Sequence, residues 1–225
     1  ADPTYPYYVH SNNYEAYRNR RINQQLSVMD EITPADIMKL QNDNYSIQAE
    51  ESLPFLLSSL DSASLTSTEQ SIAELLRSWD FVYRPESVAA TYYEVWYNNL
   101  YRNIWDEMTS STAALSRPSD YITIKLMKTD STLSFYDVQS TPEKEDLRTL
   151  IRQNFAKSLD MIDVWKNEND KEAEWAQFKN TKIGHLLRID PFSYHAKNGG
   201  NGSAINATSG THGPSWRMIT SMEKT

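Results

Sequence analysis

The chain has 225 residues and a net charge of −8, from 30 acidic and 22 basic side chains, so it is long enough for a sizeable core and its field repels phosphate backbones and anionic lipid. No apolar run approaches the about 20 residues needed to cross a bilayer, and the start ADPTYPYYVH has neither the basic end nor the apolar centre of a signal peptide. The absence of cysteine excludes disulfides, thiolate zinc sites and cysteine nucleophiles, and neither nucleic acid nor membrane is expected as a partner.

Residues 1–13, rich in Tyr, Pro and Asn, read as an extended lead-in. Tyr14, Tyr17, Ile22, Leu26 and Met29 form a helical stripe, with Arg18, Arg20 and Arg21 on other faces. Thr33-Pro34 and Asp36 cap a short helix to about Gln41, because a hydroxyl, a proline at the first position and an early acid all suit free amides. A further helix is expected over Ile47–Leu60, where Pro54 is tolerated only at a start or a kink. The capping box Thr66 to Glu69 opens Ser71–Trp79.

Pro85 begins the most strongly patterned helix, with Val88, Tyr92, Val95, Trp96, Leu100, Ile104 and Met108 three or four apart, ended by the serines and threonines at 109–112. Residues 121–138 contain a short alternating piece compatible with strand or loop. Thr141-Pro142-Glu143 starts another long helix with the stripe Leu147, Leu150, Ile151, Phe155, Leu159, Ile162 and Trp165. Its continuation KNENDKEAEW either prolongs the helix or forms a charged loop. After Ile183 the periodicity is lost. Trp216, Met218 and Thr220 alternate with Arg217 and Ile219, which predicts a strand entered from a glycine-rich loop.

Five of the six glycines lie in that loop, at 199, 200, 202, 210 and 213, where a chain needs positive φ or close backbone approach. GGNG lacks the Lys-Ser/Thr ending of a phosphate loop and leads toward a strand, so a structural loop is the better reading. His185, His195, His212 and Asp190 lack metal-ligand spacing. Ser215 beside His212 has no nucleophile elbow around it. YEAYRNRR at 14–21 is a basic and aromatic run in an acidic chain and reads as a helix with a solvated arginine face. Asn44, Asn201 and Asn206 head Asn-x-Ser/Thr sequons, which matter only in a eukaryotic secretory pathway.

Four pieces, YRNRRINQQL, TPADIMKLQNDNYSIQAEESLPFLL, LLRSWD and GGNGSAINATSGTHGPSWRMI, in this order over about residues 5–220, resemble the second half of the large chain of penicillin acylases, which are N-terminal-nucleophile hydrolases. The resemblance implies an α+β, mostly α-helical chain: the helical region of an αββα sandwich with a partial β-sheet at its C-terminus. Its parts would be the lead-in at 1–13, a helical domain at 14–180 and sandwich at 181–225. It also implies hydrolysis of the amide bond of N-acylated small molecules, of β-lactam or acyl-homoserine lactone type. The family's attacking group is a serine whose own α-amine is the base, with an asparagine and backbone amides holding the oxyanion. Ala1 has no hydroxyl and the oxyanion asparagine would precede it, so both are expected from elsewhere.

Arg18 matches an arginine that family members keep near the nucleophile to position active-site groups, a role suited to a permanently charged, bidentate donor. Asn206 and Arg217 are implied as structural polar residues. Some members bind calcium through an aspartate a little upstream of that arginine; Val9 and His10 occupy the region here, so no cofactor is expected. The implied partners are the small chain, the N-terminal part of the large chain and an acylated amide, with a homodimer through exposed sheet edges as a further expectation. The implied compartment is the periplasm or outside the cell, and the chain is expected to be an internal fragment. A second reading is a non-catalytic, aromatic-rich binding module, for example for carbohydrate at a bacterial surface, stacking ligand on Tyr92, Tyr93, Trp96, Tyr97 and Tyr101.

Overall fold

The computed structural model describes residues 16–110, 115–214 and 216–221. Helix α1, Tyr17–Leu26, buries Tyr17, while Tyr14 and the lead-in lie outside the described residues. Helix α2, Pro34–Gln41, opens with the expected capping box, in which the Thr33 side chain accepts from the Asp36 amide and the Asp36 carboxylate from Thr33. Helix α3, Ile47–Ser58, is capped by Ser46 and carries Pro54 inside it. A proline there costs about 3 kcal/mol. Leu53, Leu56 and Leu57 around it are buried, each contributing about 1.5–3 kcal/mol, so the helix continues. Helix α4, Ser67–Arg77, starts on the box of Thr66 and Glu69.

Helix α5, Val88–Ile104, is the centre of the core and packs most extensively on α8, Leu147–Asn169. Trp96 is fully buried between them, its ring 4.7 Å from that of Phe155 and its Nε1 donating to the Ile151 carbonyl at 3.1 Å. Helix α5 begins at Val88 because Ser87, two residues after Pro85, supplies the cap by accepting from the Ala90 amide. It ends at Ile104, and Met108 belongs to the separate turn α6, Glu107–Ser110. Likewise α8 starts after Asp146, which accepts from the Thr149 amide at 2.7 Å. The Thr141-Pro142-Glu143 piece is instead a loop tied by buried Glu145, which accepts from Val138 N and Thr141 Oγ1.

The segment left between strand and loop is helical: α7, Asp120–Thr129, capped by Ser119, is followed by a single 3-10 turn at Ser134–Tyr136. Thr123, Ile124 and Met127 are its buried face, and Trp105 Nε1 donates to Thr123 Oγ1 at 3.0 Å. Tertiary contact on that spacing overrides the local alternation. KNENDKEAEW divides: α8 runs through Asn169, Asp170 takes a left-handed conformation (φ 50°), and α9, Trp175–Lys179, follows.

Beyond α9, strands β1, Thr181–Ile183, and β2, Tyr194–Ala196, pair antiparallel with Lys182 opposite His195. The chain is therefore mostly helical with a small two-stranded sheet near its C-terminus, whose edges are three residues long. The strand expected at Trp216–Ile219 is corrected: residues 216–221 form no ladder among the described residues. Their alternation survives as exposure, with Trp216 and Met218 open to solvent and Arg217 and Ile219 half-buried. Period-two patterning sets which side chains face inward, but a strand also needs a neighbour for its backbone groups. No described helix is long and apolar enough to cross a membrane.

Candidate active-site cleft

Of the three arginines in AYRNRR, two are engaged in holding α1. Arg20 pairs with Glu51 at 2.6 Å, and Arg21 pairs with Asp43 at 2.8 Å while stacking over the Tyr45 ring at 4.1 Å. Arg18 is exposed, and among the described residues no ion pair or side-chain hydrogen bond engages its guanidinium. It lines a cleft of about 360 Å³. Tyr17 and Arg18 come to this cleft from α1, Gln48 from the first turn of α3, and Asp120 from the start of α7. Helix α5 contributes Glu94, Tyr97 and Asn98, and the glycine-rich loop contributes Asn201, Gly202 and Ser203.

The cleft's acidic wall is fixed from behind. Burial, with Glu94 beside it, pushes the Tyr83 phenol well up, so it stays protonated and donates to Glu94 Oε2 at 2.6 Å. Asn98 and Asn201 donate to the two Glu94 oxygens at 3.2 and 3.3 Å. Burial, with Asp120 as the next cause, likewise raises Tyr97, which donates to Asp120 Oδ1 at 3.1 Å. Asn201 Oδ1 accepts from the Ser203 amide, the Ser203 hydroxyl and the Ala204 amide at 3.0 to 3.1 Å, closing a turn. Among the described residues no histidine lines the cleft, and Ser203 Oγ is engaged with Asn201 and Ser46. The cleft offers a guanidinium for an oxygen or anion, and carboxylates and amides for donors.

Around the cleft the separated sequence pieces meet. Arg217 donates to Asn42 Oδ1 at 2.8 Å and to Asn206 Oδ1 at 2.7 Å, and Asn206 donates to Asn44 Oδ1 at 2.7 Å. LQNDNYS, the glycine-rich loop and WRM thus form one polar network, and Asn206 and Arg217 have structural roles in it. Gly200 has φ +77°, and a side chain there would meet the Asn206 carbonyl, while one at Gly199 would meet the Tyr83 carbonyl. The loop is a close-packed clamp with no phosphate-loop helix behind it. Asn201 and Asn206 are buried in these bonds, so their sequons offer no room for a glycan.

The other candidates stay apart. His195 Nδ1 is 2.8 Å from Asn180 Oδ1, His212 Nδ1 is 2.7 Å from Ser209 Oγ, and His185 lies against Phe192. Asp190 is paired with Lys182 at 2.7 Å. No described group of three or more His, Cys, Asp or Glu residues could hold a metal, and Ser215, Val9 and His10 lie outside the described residues. Tyr92, Tyr93, Trp96 and Tyr97 are buried and Tyr101 half-buried, so the stacking surface of the binding-module reading is core. Glu94 was not singled out by sequence reasoning; a single acidic residue among the apolar and aromatic positions of α5 is its only signal.

The described residues thus form a helical body that frames a polar cleft around Arg18. The family model of penicillin amidase matches residues 1–225, and the chain belongs to that family. A comparison with curated proteins found no match.

Proposed function

We propose that this chain provides the helical body and the Arg18 cleft of an amide hydrolase that cleaves N-acylated small molecules of the β-lactam or acyl-homoserine lactone type. The attacking serine, its α-amine base and the oxyanion asparagine come from outside these 225 residues, from the N-terminal part of the large chain working with the small chain. The serine hydroxyl adds to the amide carbonyl as its proton passes to the α-amine. The tetrahedral adduct expels the amine, and water releases the acyl group. Arg18 holds an oxygen of the substrate or of the active site in register. On this reading the enzyme works in the periplasm or outside the cell.

One observation carries the reading: the arginine matched by family resemblance is the one in its cluster that no side chain engages among the described residues, and it opens on a polar cleft. The test is hydrolysis of a chromogenic acyl amide by the chain assembled with the missing segments. Arg18→Ala should lower kcat/KM at least about tenfold, a loss of about 1.4 kcal/mol, with an unchanged unfolding midpoint. Unaltered kinetics would remove Arg18 from the site. Serine-dependent turnover by the 225 residues alone would overturn the division of labour.

A further inference from the structure

Lys179, the last residue of α9, directs its ammonium into the glycine-rich loop, where Nζ donates to the Gly199 carbonyl at 2.9 Å, the Gly200 carbonyl at 3.2 Å and Thr208 Oγ1 at 2.6 Å. Thr208 Oγ1 donates onward to the Gly199 carbonyl at 2.8 Å, and Trp175 Nε1 donates to the Gly200 carbonyl at 2.7 Å. The ammonium also sits 5.5 Å from the centre of the Trp175 ring. A half-buried lysine ordinarily takes a carboxylate partner; among the described residues Lys179 makes no ion pair and spends its three donors on loop oxygens. Burial lowers it to about 8 and the nearby Glu94 acts in the opposite direction, so at neutral pH it remains mostly protonated.

The residues that follow this cage, Asn201, Gly202 and Ser203, line the Arg18 cleft, and Asn201 reaches Glu94 within it. The path from ammonium to cleft is one turn of backbone. We propose that Lys179 is a positioning residue, an internal cation that gathers residues 199–208 around its ammonium and so builds one wall of the cleft. Its consequence for substrate rests on the hydrolase reading; its effect on the loop does not. A methionine of similar length keeps the stem but removes the ammonium's three bonds, leaving the Gly199 carbonyl to Thr208 Oγ1 and the Gly200 carbonyl to Trp175 Nε1, with an apolar tip against all three oxygens.

The test is amide hydrogen exchange on the 225-residue protein at pH 7. Lys179→Met should speed exchange at the Gly200, Ala204 and Asn206 amides at least about tenfold while α5 and α8 keep wild-type rates. Thr208→Val, which removes one acceptor of the ammonium and one donor to the Gly199 carbonyl while the ammonium keeps both carbonyls, should act at the same amides and less strongly. In Lys179→Ala, millimolar ethylammonium should restore protection, and tetramethylammonium, which has no N–H to donate, should not. Wild-type exchange in Lys179→Met, equal acceleration across α5 and α8, or equal rescue by the two cations would each overturn the proposal. In the assembled enzyme, Lys179→Met should raise KM at least about threefold more than it lowers kcat. Absence of any hydrolysis by the wild-type assembly would sink the hydrolase reading and leave the exchange result standing.

Discussion

Between α5 and α8 the contact runs through Trp96, Ile151 and Phe155, all essentially sealed from solvent. Between the LQNDNYS segment and residues 199–217 it is made by amides, a guanidinium and backbone carbonyls, with two glycines admitting the close approach. The first contact is non-directional and scales with apolar area; the second depends on geometry, because each buried donor or acceptor must find its partner. The body is therefore expected to tolerate changes in the loop, whereas the loop has no reason to form without the body beneath it.

The sharpest way to break the comparison is through the body. Trp96→Ala removes a fully buried indole and leaves the Ile151 carbonyl without its side-chain donor. It should cost about 3–5 kcal/mol, read from denaturant midpoints, and take the loop down with it. A loss confined to residues around α8 would show that the two regions do not fold as argued.

Gly200→Ala attacks the other side. It forces a side chain into a left-handed conformation and onto the Asn206 carbonyl, a strain of about 1–3 kcal/mol that the loop should relieve by opening. Exchange at the Asn206 amide, which donates to the Asp43 carbonyl, should rise while the unfolding midpoint of the body moves little. An equal shift in both would mean that the loop is part of the body's cooperative unit.

The smallest effect is electrostatic. Burial alone would raise the Glu69 carboxyl, but hydrogen bonds from Thr66 and the Arg152 guanidinium at 2.7 Å outweigh it and hold it below its ordinary value of 4.5. A carboxylate lowered by folding stabilises the fold above pH 4.5, and that stability is lost as pH falls through the lowered native value. Glu69→Gln should cost about 1 kcal/mol at pH 7 and flatten the stability curve below pH 4.5. An identical acid limb in variant and wild type would remove Glu69 from the acid response.

Legibility followed the same division. Thr33, Thr66 and the stripes of α5 and α8 were readable because a cap or an apolar face is written within a few residues. Starts were misplaced where a proline competed with a true cap two to five residues on, Pro85 against Ser87 and Thr141-Pro142 against Asp146. Helix α7 was obscured because YITIKLMK satisfies a period of two as well as its buried positions Thr123, Ile124 and Met127 satisfy a helical one. Arg18, which lines the cleft, was singled out only through the family resemblance of the segment around it. Glu94 and Lys179 were not, since each acquires meaning only from partners far away in sequence: Asn201 for the first, Gly199 and Thr208 for the second.

The amino-acid order alone determined the helical class, the capping boxes of Thr33 and Thr66, the core faces of α5 and α8 and the family, because these rest on short-range periodicity and on motifs in register. Only the tertiary structure decided that the tail at 216–221 is docked without a ladder, that Arg20 and Arg21 are engaged while Arg18 is not, and that a lysine cages the glycine loop. Hydrogen bonds and ion pairs are directional and reach only about 3 Å, so which groups meet depends on how the whole chain has folded.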